Sequence, residues 1–193
     1  MGHFVLGITG AIGAGKSTVG QVLKKRGWSV LDVDDVAAAA LVEVMPKLAP
    51  QRPAGLLPSG QPTKNQVFAA MLRDPDFRKE LERQLRPFVV QRIRSWVQSL
   101  EGPGVVDAAL LFESGLDEFC SATLCVQCPR EQRRHRVRQR MTASAQHFEA
   151  IEAAQWSEAE KGARADAAID NDGREELLED RLRTALARLG LPF

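Results

Sequence analysis

The stretch Gly10-Ala11-Ile12-Gly13-Ala14-Gly15-Lys16-Ser17-Thr18 decides the fold. It matches G-x-x-x-x-G-K-[ST], a pattern whose backbone amides cradle phosphates. The apolar run Phe4-Val5-Leu6-Gly7-Ile8 leads into it. Beyond it, Val19, Val22 and Leu23 recur at three- and four-residue steps, with Gln21, Lys24 and Lys25 on the other side. Strand, glycine loop and helix is the context the pattern requires. Glycines at 10, 13 and 15 permit positive φ and turn several N–H groups inward. The helix N-terminus adds its own pull on anionic oxygens. Lys16 has the reach for β- and γ-phosphates, and the Ser17 hydroxyl suits Mg²⁺.

Downstream, Trp28-Ser29-Val30-Leu31-Asp32-Val33-Asp34 reads as a short strand ending in carboxylates, and 36–44 is helix-prone. Seven prolines and glycines between 46 and 62 mark a loop. Helices are expected from Thr63, a candidate N-cap, to Leu72, and from about Asp76 to Leu100 with a break near Pro87. After Glu101-Gly102-Pro103-Gly104, the run Val105 to Phe112 has the apolar character of a central parallel strand and its following loop. Residues 122–127 and Ala167-Ala168-Ile169 give two more strands. Arg130 to Lys161 is polar and helical, Asn171-Asp172-Gly173 is a turn, and Glu175 to Leu189 is amphipathic. Short strands separated by helices predict an α/β fold with a parallel, doubly wound sheet.

On a strand, Asp32 and Asp34 project to one side, at the sheet edge where α/β proteins bind ligands. One carboxylate there can accept a hydrogen bond from an attacking hydroxyl, and the other can hold metal-bound water. Arg133, Arg136 and Arg140 share a helical face. Glu131 is the only acid between Arg130 and Arg140, so the cluster calls for anionic partners, and phosphates suit guanidinium forks. Cys120, Cys125 and Cys128 lie close together, but the better reading of Cys125 is a small apolar residue in a buried strand. A zinc or redox half-site with His135 is the alternative.

The chain has 193 residues, 44% of them hydrophobic, and a formal net charge of +1. That balance speaks against a general nucleic-acid binder. No run is apolar enough to span a bilayer and the N-terminus has no charged leader region, so a cytoplasmic protein without membrane partners is expected. A GTP switch would require N-K-x-D, which neither Asn65-Gln66 nor Asn171-Asp172 supplies.

In order along the chain, these pieces resemble the dephospho-coenzyme A kinase family. The glycine loop, Asp32-Val33-Asp34, Asp107-Ala108-Ala109-Leu110-Leu111-Phe112-Glu113 and Ala165-Asp166 with Ile169-Asp170-Asn171-Asp172-Gly173 carry the likeness. Arg136, Arg140 and Gln155 fit its lid. The resemblance implies a P-loop three-layer fold. Its nucleotide core would comprise 1–35, 103–129 and 164–193, its helical acceptor-binding insertion 36–102 and its lid 130–163. It implies transfer of the ATP γ-phosphate to the ribose 3′-hydroxyl of dephospho-coenzyme A, the last step of coenzyme A synthesis. ATP would lie on Gly13, Ala14, Gly15, Lys16, Ser17 and Thr18, with Arg136 and with Asn171 near the adenine. Mg²⁺ would lie on Ser17, with Asp32 acting through water. Asp34 would be the base, supported by Asp32, and Lys16 and Arg140 would act on the transferred phosphate. The acceptor is the only partner implied, for a monomer or weak homo-oligomer. Another P-loop kinase of nucleotides or small alcohols is the alternative. Four positions depart from the family pattern: Ala109 for proline, Arg133 for glutamine, Arg86 for the histidine before Pro87, and Ala38 for arginine.

Overall fold

A computed structural model describes residues 4–51, 64–140, 147–173 and 175–193. Five strands, β1 (Val5–Thr9), β2 (Ser29–Asp32), β3 (Gly104–Asp107), β4 (Ala122–Gln127) and β5 (Ala167–Asp170), form one parallel sheet in the order β2-β3-β1-β4-β5. β1 is buried at every position, as a strand covered on both faces must be. Successive connections run from β1 outward to β2, back to β3, and then across to β4. The carboxyl ends of β1 and β4 therefore flank the point where the winding reverses, the usual crevice for ligands.

The helices are α1 (Lys16–Lys25), α2 (Val33–Val44), α3 (Lys64–Arg73), α4 (Pro75–Gln98), α5 (Arg130–Arg140), α6 (Phe148–Ala153), α7 (Glu158–Arg164) and α8 (Glu175–Arg188). Local sequence explains their ends. α1 buries Val19, Gly20 and Leu23 and carries Lys24 and Lys25 where its dipole is negative. Asp74 accepts from the amides of Asp76 and Phe77, so α4 starts with Pro75 in its first turn, where a missing N–H costs nothing. Ser157 and Glu160 form a reciprocal capping box that opens α7. α8 buries Leu178, Leu182, Ala185 and Leu186 along one stripe.

The chain divides into two compact units. The first, 1–32 with 96–193, holds the sheet. Its core joins Leu6, Ile8, Val19, Leu23, Trp28 and Leu124 to the buried face of α8. The segment 130–163 groups with this unit. The second unit, 33–95, is helical and closes on Val44, Met45, Leu48, Val67, Phe77 and Leu81.

The structure departs from the sequence expectations in three places. The strand expected to carry both aspartates stops at Asp32, and Val33 already begins α2. Asp34 and Asp35 thus stand in a first helical turn, where carboxylates satisfy the positive end of the dipole. They do not share a strand face with Asp32. Pro87 does not break α4, which runs through it; burial of Phe77, Leu81, Val89 and Ile93 on both sides of the proline outweighs one missing hydrogen bond. A 3₁₀ turn at Met45–Gln51 occupies the start of the expected loop. The suggested cap Thr63 and the rest of that loop lie outside the described residues.

Candidate active site

The glycine loop connects β1 to α1 and is held from its outer side. Gly15, with φ 95°, caps α1 in the left-handed region. A Cβ there would come within 2.1 Å of the Asn171 amide nitrogen. A Cβ on Gly13 would meet the Arg133 carbonyl oxygen at 2.6 Å. Only glycine allows α5 and the turn after β5 to approach the loop so closely.

These neighbours bind the loop's carbonyls. The Arg136 guanidinium donates to Gly13 O (3.4 Å), Ala14 O (3.2 Å) and Asn171 O (2.8 Å). The buried Asn171 side chain donates to Ala14 O at 2.8 Å. Arg133 donates to Ile12 O (3.3 Å) and Cys128 O (3.0 Å), and Gln155 Oε1 accepts from the Ile12 amide at 3.0 Å. Two loop amides are spent internally: Ala14 N–H bonds Ala11 O and Thr18 N–H bonds Gly15 O, each at 3.0 Å. These contacts leave the amides of Gly13, Gly15, Lys16 and Ser17 as the donors they do not engage. Lys16 is half-buried and Ser17 exposed at the positive end of α1.

The arginine cluster finds its acids in later helices. Glu152 on α6 bridges Arg130 (2.8 Å) and Arg133 (2.7 Å), and Glu158 lies 3.5 Å from Arg133. Glu149 meets Arg134 at 3.5 Å. Among the described residues, the anionic partners of Arg130, Arg133 and Arg134 are carboxylates from α6 and α7 as well as Glu131 of α5 itself. Arg140 ends α5, and its side chain lies outside the described residues.

A second network underlies the crevice. Lys161 of α7 is fully buried, pairs with Glu113 Oε1 at 2.8 Å and donates to Ala109 O, which also accepts from Thr9 at 3.3 Å. Glu113 Oε1 takes the Trp156 amide too (2.9 Å), while its buried Oε2 has no partner among the described residues. Burial lowers the Lys161 pKa, the pairing with Glu113 opposes that shift, and the nearby charge of Lys16 adds to it. Burial likewise raises Glu158, against the amide of Cys128 that bonds it.

Asp107 closes β3 in register with Asp32 of β2 and Ile8 of β1, and its Oδ2 lies 3.9 Å from where a Cβ on Gly20 would stand. In the sequence Asp107 opens the run Asp107 to Glu113. The available signal was a carboxylate ending an apolar strand. Nothing in the sequence marked Lys161, whose surroundings read as a solvated helix. Arg133 stands out in the arginine cluster, but its pairing with Glu152 was hidden because it joins separate helices. Among the cysteines, Cys125 and Cys128 are buried. Desolvation, with Asp117 adding to it at Cys120, pushes Cys125 to about 11 and Cys120 to about 12. His135 is exposed on α5 beside Gln139, and among the described residues no three His, Cys, Asp or Glu side chains gather as a metal cluster.

The model of one family, dephospho-CoA kinase, matches residues 4–176. The chain belongs to the dephospho-CoA kinase family. A dephospho-CoA kinase of Thermus thermophilus is 36% identical over 198 residues, covering 98% of this chain and 96% of its own. The crystal structure of TT1252 from Thermus thermophilus superposes with a TM-score of 0.83 at 35% identity, covering 98% of this chain and 99% of that one. A Campylobacter jejuni dephospho-CoA kinase structure, 22% identical with a TM-score of 0.62 over 94% of this chain and 96% of its own, shares the fold. The activity of the dephospho-CoA kinase family is an ATP-dependent phosphoryl transfer to an alcohol, which converts dephospho-CoA to coenzyme A. No helix among the described residues is long and apolar enough to cross a membrane.

Proposed function

We propose that the reaction runs on the glycine loop, with Lys16 and the Gly13, Gly15, Lys16 and Ser17 amides holding the β- and γ-phosphates of ATP. The single observation supporting this is the capture of the loop's carbonyls on its outer side, which turns the alternate N–H groups toward the opposite side. Arg136 and Asn171 serve the nucleotide by bracing that loop. The Ser17 hydroxyl and the carboxylates of Asp32 and Asp107 form an all-oxygen donor set, which fits Mg²⁺, with Asp32 acting through water. Bound there, the ion would neutralise charge on the β- and γ-oxygens.

Asp34 is the residue proposed to accept the proton of the acceptor's ribose 3′-hydroxyl and to aim its oxygen in line with the γ-phosphorus, supported by Asp32. Because the transition state is loose, this carboxylate mainly orients the nucleophile. Residues 36–102 hold the acceptor, and Arg140 with the rest of 130–163 covers the phosphates so that water does not compete. The protein is proposed to work in the cytoplasm as a monomer or weak homo-oligomer without nucleic-acid partners, in line with its net charge of +1.

The test mixes the protein with Mg-ATP and dephospho-CoA and follows coenzyme A by mass. Product should form, and Asp34→Asn should lower kcat about 10²- to 10⁴-fold while ATP affinity holds. Absence of product from the folded wild type rejects the reaction. Equal losses of turnover and ATP affinity in Asp34→Asn remove that residue from the base role.

A further inference from the structure

We propose that Arg133 and Gln155 are a pair of positioning residues that aim the Gly13 amide of the phosphate loop by gripping Ile12 from both of its peptide groups. The inference rests on the loop being the ATP site. Ile12 donates its N–H to Gln155 Oε1 at 3.0 Å, and its carbonyl accepts from Arg133 Nη1 at 3.3 Å. The first bond fixes the peptide plane before the Ile12 Cα and the second fixes the plane after it, so φ and ψ of this residue are set together. In a trans peptide the C=O and the following N–H point in opposite directions. Drawing the Ile12 carbonyl toward Arg133 therefore turns the Gly13 N–H away from α5. Gly13 has no side chain to resist a flip of that plane, and its φ of 78° is one that glycine adopts freely. The orientation has to come from outside the loop.

Arg133 is built for this. Its side chain is only 7% exposed, and each nitrogen is occupied: Nε on Cys128 O, Nη1 on Ile12 O and Nη2 on Glu152. The Phe148 ring lies 5.8 Å from its guanidinium carbon. A fork held at its other points cannot follow a flipping carbonyl, so the carbonyl stays. Gln155 approaches from the far end of the 130–163 segment, in the turn between α6 and α7. Two side chains 22 positions apart thus converge on one loop residue. The winding explains why: α5 leaves β4 beside the crevice that the loop enters from β1.

The experiment measures ATP and dephospho-CoA affinities by calorimetry, together with melting temperature, for the full chain and for Arg133→Met, Arg133→Lys, Gln155→Met, Glu152→Gln and the double variant Arg133→Met/Gln155→Met. Each Met variant should weaken ATP binding about tenfold, the worth of one charge-assisted or well-placed hydrogen bond. Dephospho-CoA affinity should stay within about twofold of wild type, because the contacts of the pair fall on the loop, the end of β4 and α6, and not on the acceptor helices 33–95. The double variant should lose less than the product of the two single losses, since either loss already frees the same peptide. Arg133→Lys keeps a donor for the Ile12 carbonyl and should recover most of the ATP affinity. Glu152→Gln should lower the melting temperature more than it weakens ATP. Unchanged ATP affinity in Gln155→Met, at a half-buried position, overturns the proposal even if Arg133→Met does not fold. So does a parallel fall of both affinities with melting temperature. Failure of the wild type to bind ATP at all strikes the kinase assignment instead.

Discussion

At Gly15 a single missing side chain governs the site. Its φ of 95° is costly for any residue with a Cβ, and that Cβ would stand 2.1 Å from Asn171 Nδ2. Asn171 cannot yield easily, because the same amide group bonds Ala14 O and its backbone N–H bonds Gln127 O. Gly15→Ala should therefore cost about 1–2 kcal/mol in left-handed strain, with the clash in addition. ATP affinity should fall more than tenfold as Asn171 lets go of the loop. Calorimetry and chemical denaturation of the same sample check both, and a variant that binds ATP as tightly as wild type would show that the close approach of Asn171 is dispensable.

At the level of elements, α7 is joined to the turn after β3 by the Lys161–Glu113 pair. A fully buried lysine survives there because the Glu113 carboxylate and the Ala109 carbonyl both accept hydrogen bonds from its ammonium. Removing one partner strands the other's charge, so Lys161→Met should destabilise the protein by about 3–5 kcal/mol in urea unfolding. Adding Glu113→Leu should restore much of that loss, since replacing a whole buried pair with apolar groups is often close to neutral. A double variant as unstable as the single would mean that packing at α7, not charge, sets the loss. The capping box at Ser157 was readable as S-x-x-E, and it fixes where α7 begins. That this helix should then bury a lysine was not readable, because its partner lies in a different part of the chain.

For the whole molecule, which divides into a sheet-bearing unit and the helical unit 33–95, the proposed placement of ATP and acceptor predicts separate signatures for the two ligands. ATP at about a hundred times its Kd should stabilise the folded protein by about 2.7 kcal/mol. In hydrogen exchange it should protect the 10–18 loop and the start of α1. Dephospho-CoA should add protection within 36–102. Protection by the acceptor confined to 103–193 would move its site out of the helical unit.

The strand–glycine loop–helix unit at the start of this protein was settled by local sequence, because it depends on short-range chemistry. A loop of glycines between an apolar strand and an amphipathic helix has one sensible conformation, and β4 at 122–127 announced itself by the apolar residues Ala122, Leu124, Cys125 and Val126. Asp32 and Asp34 show the limit: two residues apart, they read as one strand, yet the chain turns helical at Val33, which is buried. The roles of the arginines were decided only by tertiary structure. Their partners are carbonyls of Ile12, Gly13 and Ala14 and carboxylates on α6 and α7, distant in sequence and brought together by the reversal of winding between β1 and β4. Sequence fixes which groups carry charge and where the backbone can bend. Which carbonyl each guanidinium will meet follows from how strands order themselves in the sheet, and that order is a property of the folded chain.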